Sequence, residues 1–82
     1  MHISPRTAQK VVTKHRLEPD DIRQAIVCVR GLVFTWDDHP ERGRRAIVET
    51  KIKGRRVLVV LYPVTSDPSG DAWRLGSAYP RN

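Results

Sequence analysis

The chain has 82 residues, enough for one small domain (1–82) with a modest core and too few for two. Fifteen Lys and Arg against nine Asp and Glu give a formal charge of +6, with Arg outnumbering Lys, which points to nucleic acid, an acidic protein or another anionic surface as partner. The one cysteine, Cys28, excludes an internal disulfide and a Cys-rich metal site; with no signal-type apolar segment and no run near the ~20 residues of a membrane span, the expectation is a cytoplasmic protein without membrane contact.

Ser4-Pro5 is a helix-start pair, Ser as N-cap and Pro at the first helical position. Ala8, Val11, Val12 and His15 then recur at helical spacing as a narrow apolar stripe, and this first helix is expected to end near Leu17. Pro19 opens a second helix, with Asp20 and Asp21 at the positive end of its dipole. Ile22, Ala25, Ile26 and Val29 form its core face, Arg30-Gly31 ends it, and Cys28 within it reads as a small buried hydrophobe. Leu32 to Trp36 reads as an edge strand, and Asp37 to Gly43 as a polar loop.

The stretch from Arg44 to Tyr62 is a hairpin turning at Lys53-Gly54, with Val57 to Leu61 as a buried central strand. A direct two-residue turn sets Thr50 opposite Val57, Val48 opposite Val59 and Ala46 opposite Leu61, an apolar face. A bulge at Gly54 would slip that register by one residue; the direct turn separates apolar from polar more cleanly. Pro63 to Gly70 is a second polar loop, with Pro63 stopping the strand. Ala72 to Ala78 is the last strand, with Trp73, Leu75 and Ser77 on one side and Arg74 and Gly76 on the other. Trp36 and Trp73 read as core residues rather than base-stacking platforms.

Short links between consecutive strands favour an antiparallel meander. The predicted fold class is α+β, two N-terminal helices packed on one face of a four-stranded antiparallel sheet. The opposite face is left open and mostly basic, with Arg45, Glu49, Lys51, Arg56 and Tyr62 around Ile47 and Val60.

Metal-free RNA cleavage needs a base near the 2′-hydroxyl, cations for the charge on the phosphorane and an acid for the leaving 5′-oxygen. His15, between Lys14 and Arg16, is the best candidate acid or base, since imidazole titrates near neutrality; packing at the rim of the helix stripe is the other reading. His39 beside Asp37 and Asp38 lacks a second His or Cys at ligand spacing and reads as a solvated loop residue, so no metal and no cofactor are expected. Arg44, Arg45, Arg55, Arg56 and Arg74 gather around the hairpin and last strand, and the planar guanidinium suits phosphate. Arg45 and Arg74 belong to the open face, whereas Arg55 and Arg56 flank the turn. Tyr79 and Tyr62 each read as a proton donor or base stacker, or as a plain strand-end aromatic. Glu49 reads as the ion-pair partner of Lys51 or Arg56 rather than as a general base.

Three segments carry a likeness to a known group: Lys14-His15-Arg16-Leu17 followed by Asp20-Asp21-Ile22, the hairpin stretch from Ile52 to Val60, and Leu75-Gly76-Ser77-Ala78-Tyr79-Pro80. Together with the expected architecture they resemble the small ribonuclease toxins of the RelE/ParE superfamily, nearest to the BrnT-like branch and the related nuclease domains of polymorphic toxins. The resemblance spans about Lys14 to Pro80. It implies a RelE-like fold and the toxin of a type II toxin–antitoxin pair, a metal-independent endoribonuclease acting on mRNA or tRNA. RNA and a cognate antitoxin protein would be the partners, in a homodimer or a toxin–antitoxin hetero-oligomer. In that reading His15 is base or acid, Tyr79 is the hydroxyl partner, and Arg45 and Arg74 clamp the phosphate. Lys14, Arg16, Arg44, Arg55, Arg56 and Tyr62 then contact the nucleic acid. The alternative is a non-catalytic nucleic-acid-binding or partner-binding module on the same fold.

Overall fold

The structure is a computed structural model that describes residues 1–27, 31–64 and 73–81. Helix α1 (Pro5–His15) starts where the Ser-Pro pair places it: the Thr7 amide donates to the Ser4 hydroxyl at 3.2 Å. It ends at Arg16, whose left-handed φ of 54° turns the chain and lets the Arg16 and Leu17 amides donate to the Val12 and Val11 carbonyls, each at 3.1 Å. Helix α2 (Pro19–Val27) opens on Pro19 with Asp20 and Asp21 in its first turn. The expected end at Arg30, and Cys28 and Val29 with it, lie outside the described residues.

Strands β1 (Val33–His39), β2 (Gly43–Ile52), β3 (Arg55–Pro63) and β4 (Trp73–Pro80) pair antiparallel in chain order, which leaves β1 at an edge. Lys53 and Gly54 take φ values of 51° and 79°, the pair of left-handed conformations that a two-residue primed turn requires. The direct register follows: Thr50 faces Val57, Val48 faces Val59 and Ala46 faces Leu61.

Two expectations are corrected. The segment Asp37 to Gly43 is not a loop. β1 runs on through His39, and only Pro40 to Arg42 connect it to β2. Asp37 and Asp38 are poor strand formers, but they stand opposite Arg45 and Arg44 and pair with them at 2.7 and 3.3 Å. His39, assigned above to a solvated loop, ends the strand and caps the turn, its Nδ1 accepting from the Glu41 and Arg42 amides, each at 3.1 Å. The second correction concerns β4, where Ser77 does not share a side with Leu75. The register shifts between Val60 and Leu61, so that Val60 faces Ser77 and Leu61 faces Leu75, with Gly76 as the extra residue. β3 ends at Pro63 as expected, and residues 65–70 of the loop expected there, with Ala72 of the expected last strand, lie outside the described residues.

One buried cluster unites Val11, Leu17 and Ile22 of the helical region with Ala46, Val48, Val57, Val59, Leu61, Leu75 and Ala78 of the sheet. Each fully buried aliphatic side chain in it, such as Ile22 or Val59, contributes roughly 1.5–3 kcal/mol. The cover is incomplete. Helix α1 meets β4 and α2 meets β2, while Phe34 and Trp36 on β1 remain exposed, at 51% and 44%. Trp36 is therefore not a core residue, although its ring stacks on that of half-buried Trp73 at 5.8 Å. Val12, placed above in the apolar stripe of α1, is also exposed. Ahead of α1, residue His2 bridges β4 in parallel, its amide donating to the Trp73 carbonyl and its carbonyl accepting from the Leu75 amide.

Candidate nucleic-acid interface

The strand registers lay out the second face of the sheet in rows. At one end Asp37 stands beside Arg45, and Tyr62 beside Arg74. Toward the other end Val33, Glu49, Leu58 and Tyr79 form a row, and Lys51 and Arg56 face each other beyond it. The Arg81 amide donates to the Arg56 carbonyl at 2.8 Å, which brings Arg81 into that last row. Tyr62 and Leu58 are four residues apart on β3, so the two ends are separated by about 13 Å at ~3.3 Å per residue.

The far end holds the imidazole and the phenol singled out in the sequence. His15 closes α1 and Tyr79 is the penultimate residue of β4, and their ring centroids are 6.2 Å apart at a tilt of 48°. Both side chains are half-buried. A chain separation of 64 residues thus becomes direct proximity, because α1 lies along β4. Arg56 is exposed one row away, and Arg81 pairs with Glu49. That pair corrects the expected partners of Glu49, Lys51 and Arg56. A cavity of about 360 Å³ runs beside this row, lined by Glu49, Lys51, Arg56, Leu58 and Arg81 among others.

At the near end the expected phosphate clamp is taken apart. Arg45 is bound to Asp37 at 2.7 Å and lies against the Tyr62 hydroxyl, and both contacts raise its pKa, the Asp37 hydrogen bond most. It is therefore not a free cation. Arg74 lies over the Tyr62 ring at 5.3 Å. Neither arginine is beside His15 or Tyr79. Tyr62 is itself buried, with 7% exposure. Burial opposes ionisation of its phenol, yet hydrogen bonds from Arg45 and then Arg42 outweigh it and bring the pKa below the ordinary value of 10.0. The face is thus open at its ends and filled in places by its own residues, since Val60 is buried as well.

Four other candidates sit elsewhere. Arg44 pairs with Asp38 and lies over the Trp36 ring at 5.4 Å, on the opposite face of the sheet. Arg55 and Arg16 line a small hollow at the hairpin tip with Lys53 and Asp21. Lys14 is exposed on α1, one residue from His15.

Sequence reasoning missed Arg6, Lys10 and Arg42. With Ser4, Thr7, Tyr62, Arg74 and Gly76 they line a groove of about 590 Å³ between the first turns of α1 and the near end of β3 and β4. The four-residue spacing of Arg6 and Lys10 does put them on one side of a helix, but nothing local shows that this side turns toward the bulge of β4.

Among the described residues no helix is long and apolar enough to cross a membrane. No family model matches the chain, and no match was found among curated proteins or among solved structures.

Proposed function

We propose that this chain is a RelE-like toxin of a toxin–antitoxin pair, an endoribonuclease that cuts mRNA or tRNA without a metal, with its reacting groups at the far end of the open face. The observation that carries the reading is the approach of the His15 and Tyr79 rings to 6.2 Å beside Arg56. His15 takes the proton of the RNA 2′-hydroxyl, and the 2′-oxygen attacks phosphorus. The bond from phosphorus to the 5′-oxygen breaks as that oxygen receives a proton from the Tyr79 hydroxyl. The products are a 2′,3′-cyclic phosphate and a 5′-hydroxyl end, and imidazolium then returns a proton to phenolate. Arg56, and Arg81 when released from Glu49, take over the charge stabilisation that the sequence assigned to Arg45 and Arg74. A cognate antitoxin would bind the toxin and block its action.

Incubation with RNA in EDTA tests this. The wild-type protein should leave 2′,3′-cyclic phosphate ends, and His15→Ala or Tyr79→Phe should lower the rate about 10²–10⁴-fold with the circular dichroism spectrum unchanged. Full cleavage by both folded variants would remove the assignment.

A second reading, a module that binds nucleic acid without cutting it, is favoured by one observation. The groove cations Arg6, Lys10, Arg42 and Arg74 lie at the end of the face away from His15 and Tyr79. It predicts steeply salt-dependent RNA binding with no turnover in the same incubation.

A further inference from the structure

The groove between α1 and the bulge of β4 is unlike the rest of the surface. The hollow beside the Tyr79 row holds Glu49 and the one at the hairpin tip holds Glu18 and Asp21, and four cations outside the groove are paired, Arg44 with Asp38, Arg45 with Asp37, Lys53 with Asp21 and Arg81 with Glu49. Among the described residues that line the groove there are four cations and no carboxylate, and none of those cations joins an ion pair with another described residue. Like charges held in a concavity repel one another, and that cost is offset when an anion enters.

The chemistry of the walls narrows the anion. A Cβ on Gly76 would come within 2.2 Å of the Tyr62 ring, so that ring lies directly on the strand backbone. Arg74 covers the ring at 5.3 Å. The groove's one aromatic is therefore enclosed by the protein and offers no free face for a base to stack on. The Ser4 and Thr7 hydroxyls are bonded to each other at 2.9 Å and to the start of α1. What remains for a ligand is guanidinium and ammonium, which match phosphate oxygens and carry no base information.

We infer that this groove is a phosphate-binding subsite, formed by Arg6, Lys10, Arg42 and Arg74, which holds the sugar-phosphate backbone of a single strand irrespective of its bases. It lies about 13 Å along β3 from the Tyr79 row, a few nucleotides from the phosphate at His15 and Tyr79. The identity of the strand as RNA rests on the reading above; the phosphate site itself does not.

The test uses a ten-nucleotide 2′-O-methyl oligoribonucleotide, which lacks the attacking hydroxyl and cannot be cut. Fluorescence anisotropy compares the wild-type protein with Arg6→Gln/Lys10→Gln, and with Arg23→Gln/Lys53→Gln, which removes the same charge outside the groove. The groove variant should bind at least about tenfold more weakly, equally for uridine-only and adenosine-only strands. Its log–log salt slope should fall by about 0.7 for each phosphate released. The charge-matched control should stay near the wild type. Equal losses in both variants, or none in the groove variant, would overturn the subsite. A strand with and without a 5′-phosphate separates a terminal from a backbone phosphate as the group held, and inorganic phosphate should compete in either case. Loss of binding in the groove variant together with a wild type that cuts no RNA would keep the subsite and discard the nuclease.

Discussion

Gly76→Ala is a small change with a calculable consequence. The new methyl would meet Cε2 and Cδ2 of Tyr62 at 2.2 and 2.7 Å, so one of the two must move. Tyr62 cannot swing away freely. It is buried, Arg74 lies over it, and its hydroxyl accepts from Arg45 and Arg42. Overpacking of this kind typically costs about 1–3 kcal/mol. Gly76 does not sit at positive φ, so alanine also restricts the unfolded chain there, a gain of about 0.4–1 kcal/mol. The net expectation is a loss of about 1–2 kcal/mol, or a melting temperature lower by roughly 5–15 °C for a domain of this size. Tyr62→Val removes both clashing atoms and keeps a strand-forming residue. On that background Gly76→Ala should be neutral or slightly stabilising, giving a coupling of about 1–3 kcal/mol in urea titrations of the four proteins. A displaced ring would also fill the groove, so the single variant should bind the oligonucleotide more weakly. An identical loss with and without the Tyr62 ring would refute the close approach and the shape of the groove derived from it.

Further outcomes follow from the same geometry. Tyr62 should ionise below the ordinary phenol value of 10.0 in a phenolate absorbance titration; Arg42→Gln should move that step toward higher pH, because one stabilising guanidinium is gone. A depressed phenol pKa contributes stability fully above the unfolded value of 10.0 and loses it as pH falls through the folded value. The stability difference between wild type and Tyr62→Phe should therefore grow with pH across that window and be flat below it. Lys53→Asn should stabilise the hairpin by about 0.5–1 kcal/mol, because Asn tolerates the left-handed turn position better. The exposed pair with Asp21 offsets part of this, so the gain should be clearest in about 1 M salt, read as a denaturation midpoint. Glu49→Gln should change stability by less than about 0.5 kcal/mol, since that pair is more than half exposed. It should also steepen the salt dependence of strand binding by about 0.7, because Arg81 becomes available to phosphate.

Features set by neighbouring residues were legible in the sequence. Ser4-Pro5 and Pro19 begin their helices, and Lys53-Gly54 fixes the hairpin register, because capping and turn conformation are decided within a few residues. Features set across the sheet were not. Asp37 and Asp38 have loop character until Arg45 and Arg44 stand opposite them. The bulge at Gly76 is invisible to a strict two-residue alternation, and it alone moves Ser77 to the other face. The candidate site divides along the same line. His15 and Tyr79 could each be singled out by residue type, whereas their proximity and the groove both arise only when α1 docks beside β4.

The distribution of carboxylates gives the positive charge a direction. Asp38 and Asp37 neutralise Arg44 and Arg45 on the β1 side, Asp21 holds Lys53 at the hairpin tip, and Glu49 holds Arg81. Of the other cations among the described residues, Arg6, Lys10, Arg42, Arg74, Lys14 and Arg16 lie along the α1 side, while Arg23 is on α2 and Lys51, Arg55 and Arg56 are at the hairpin end of the sheet. For the proposed polyanion this arrangement favours a path beside α1, past Ser77, toward Tyr79 over one across β1, where Asp37 and Asp38 stand. The net charge of +6 is small beside fifteen cations, but six of those with no ion pair to another described residue lie on the side where an imidazole and a phenol stand close together. An antitoxin that laid an acidic segment along this path would cover the groove and His15 together, while one bound at the exposed Phe34 and Trp36 of β1 would leave both accessible.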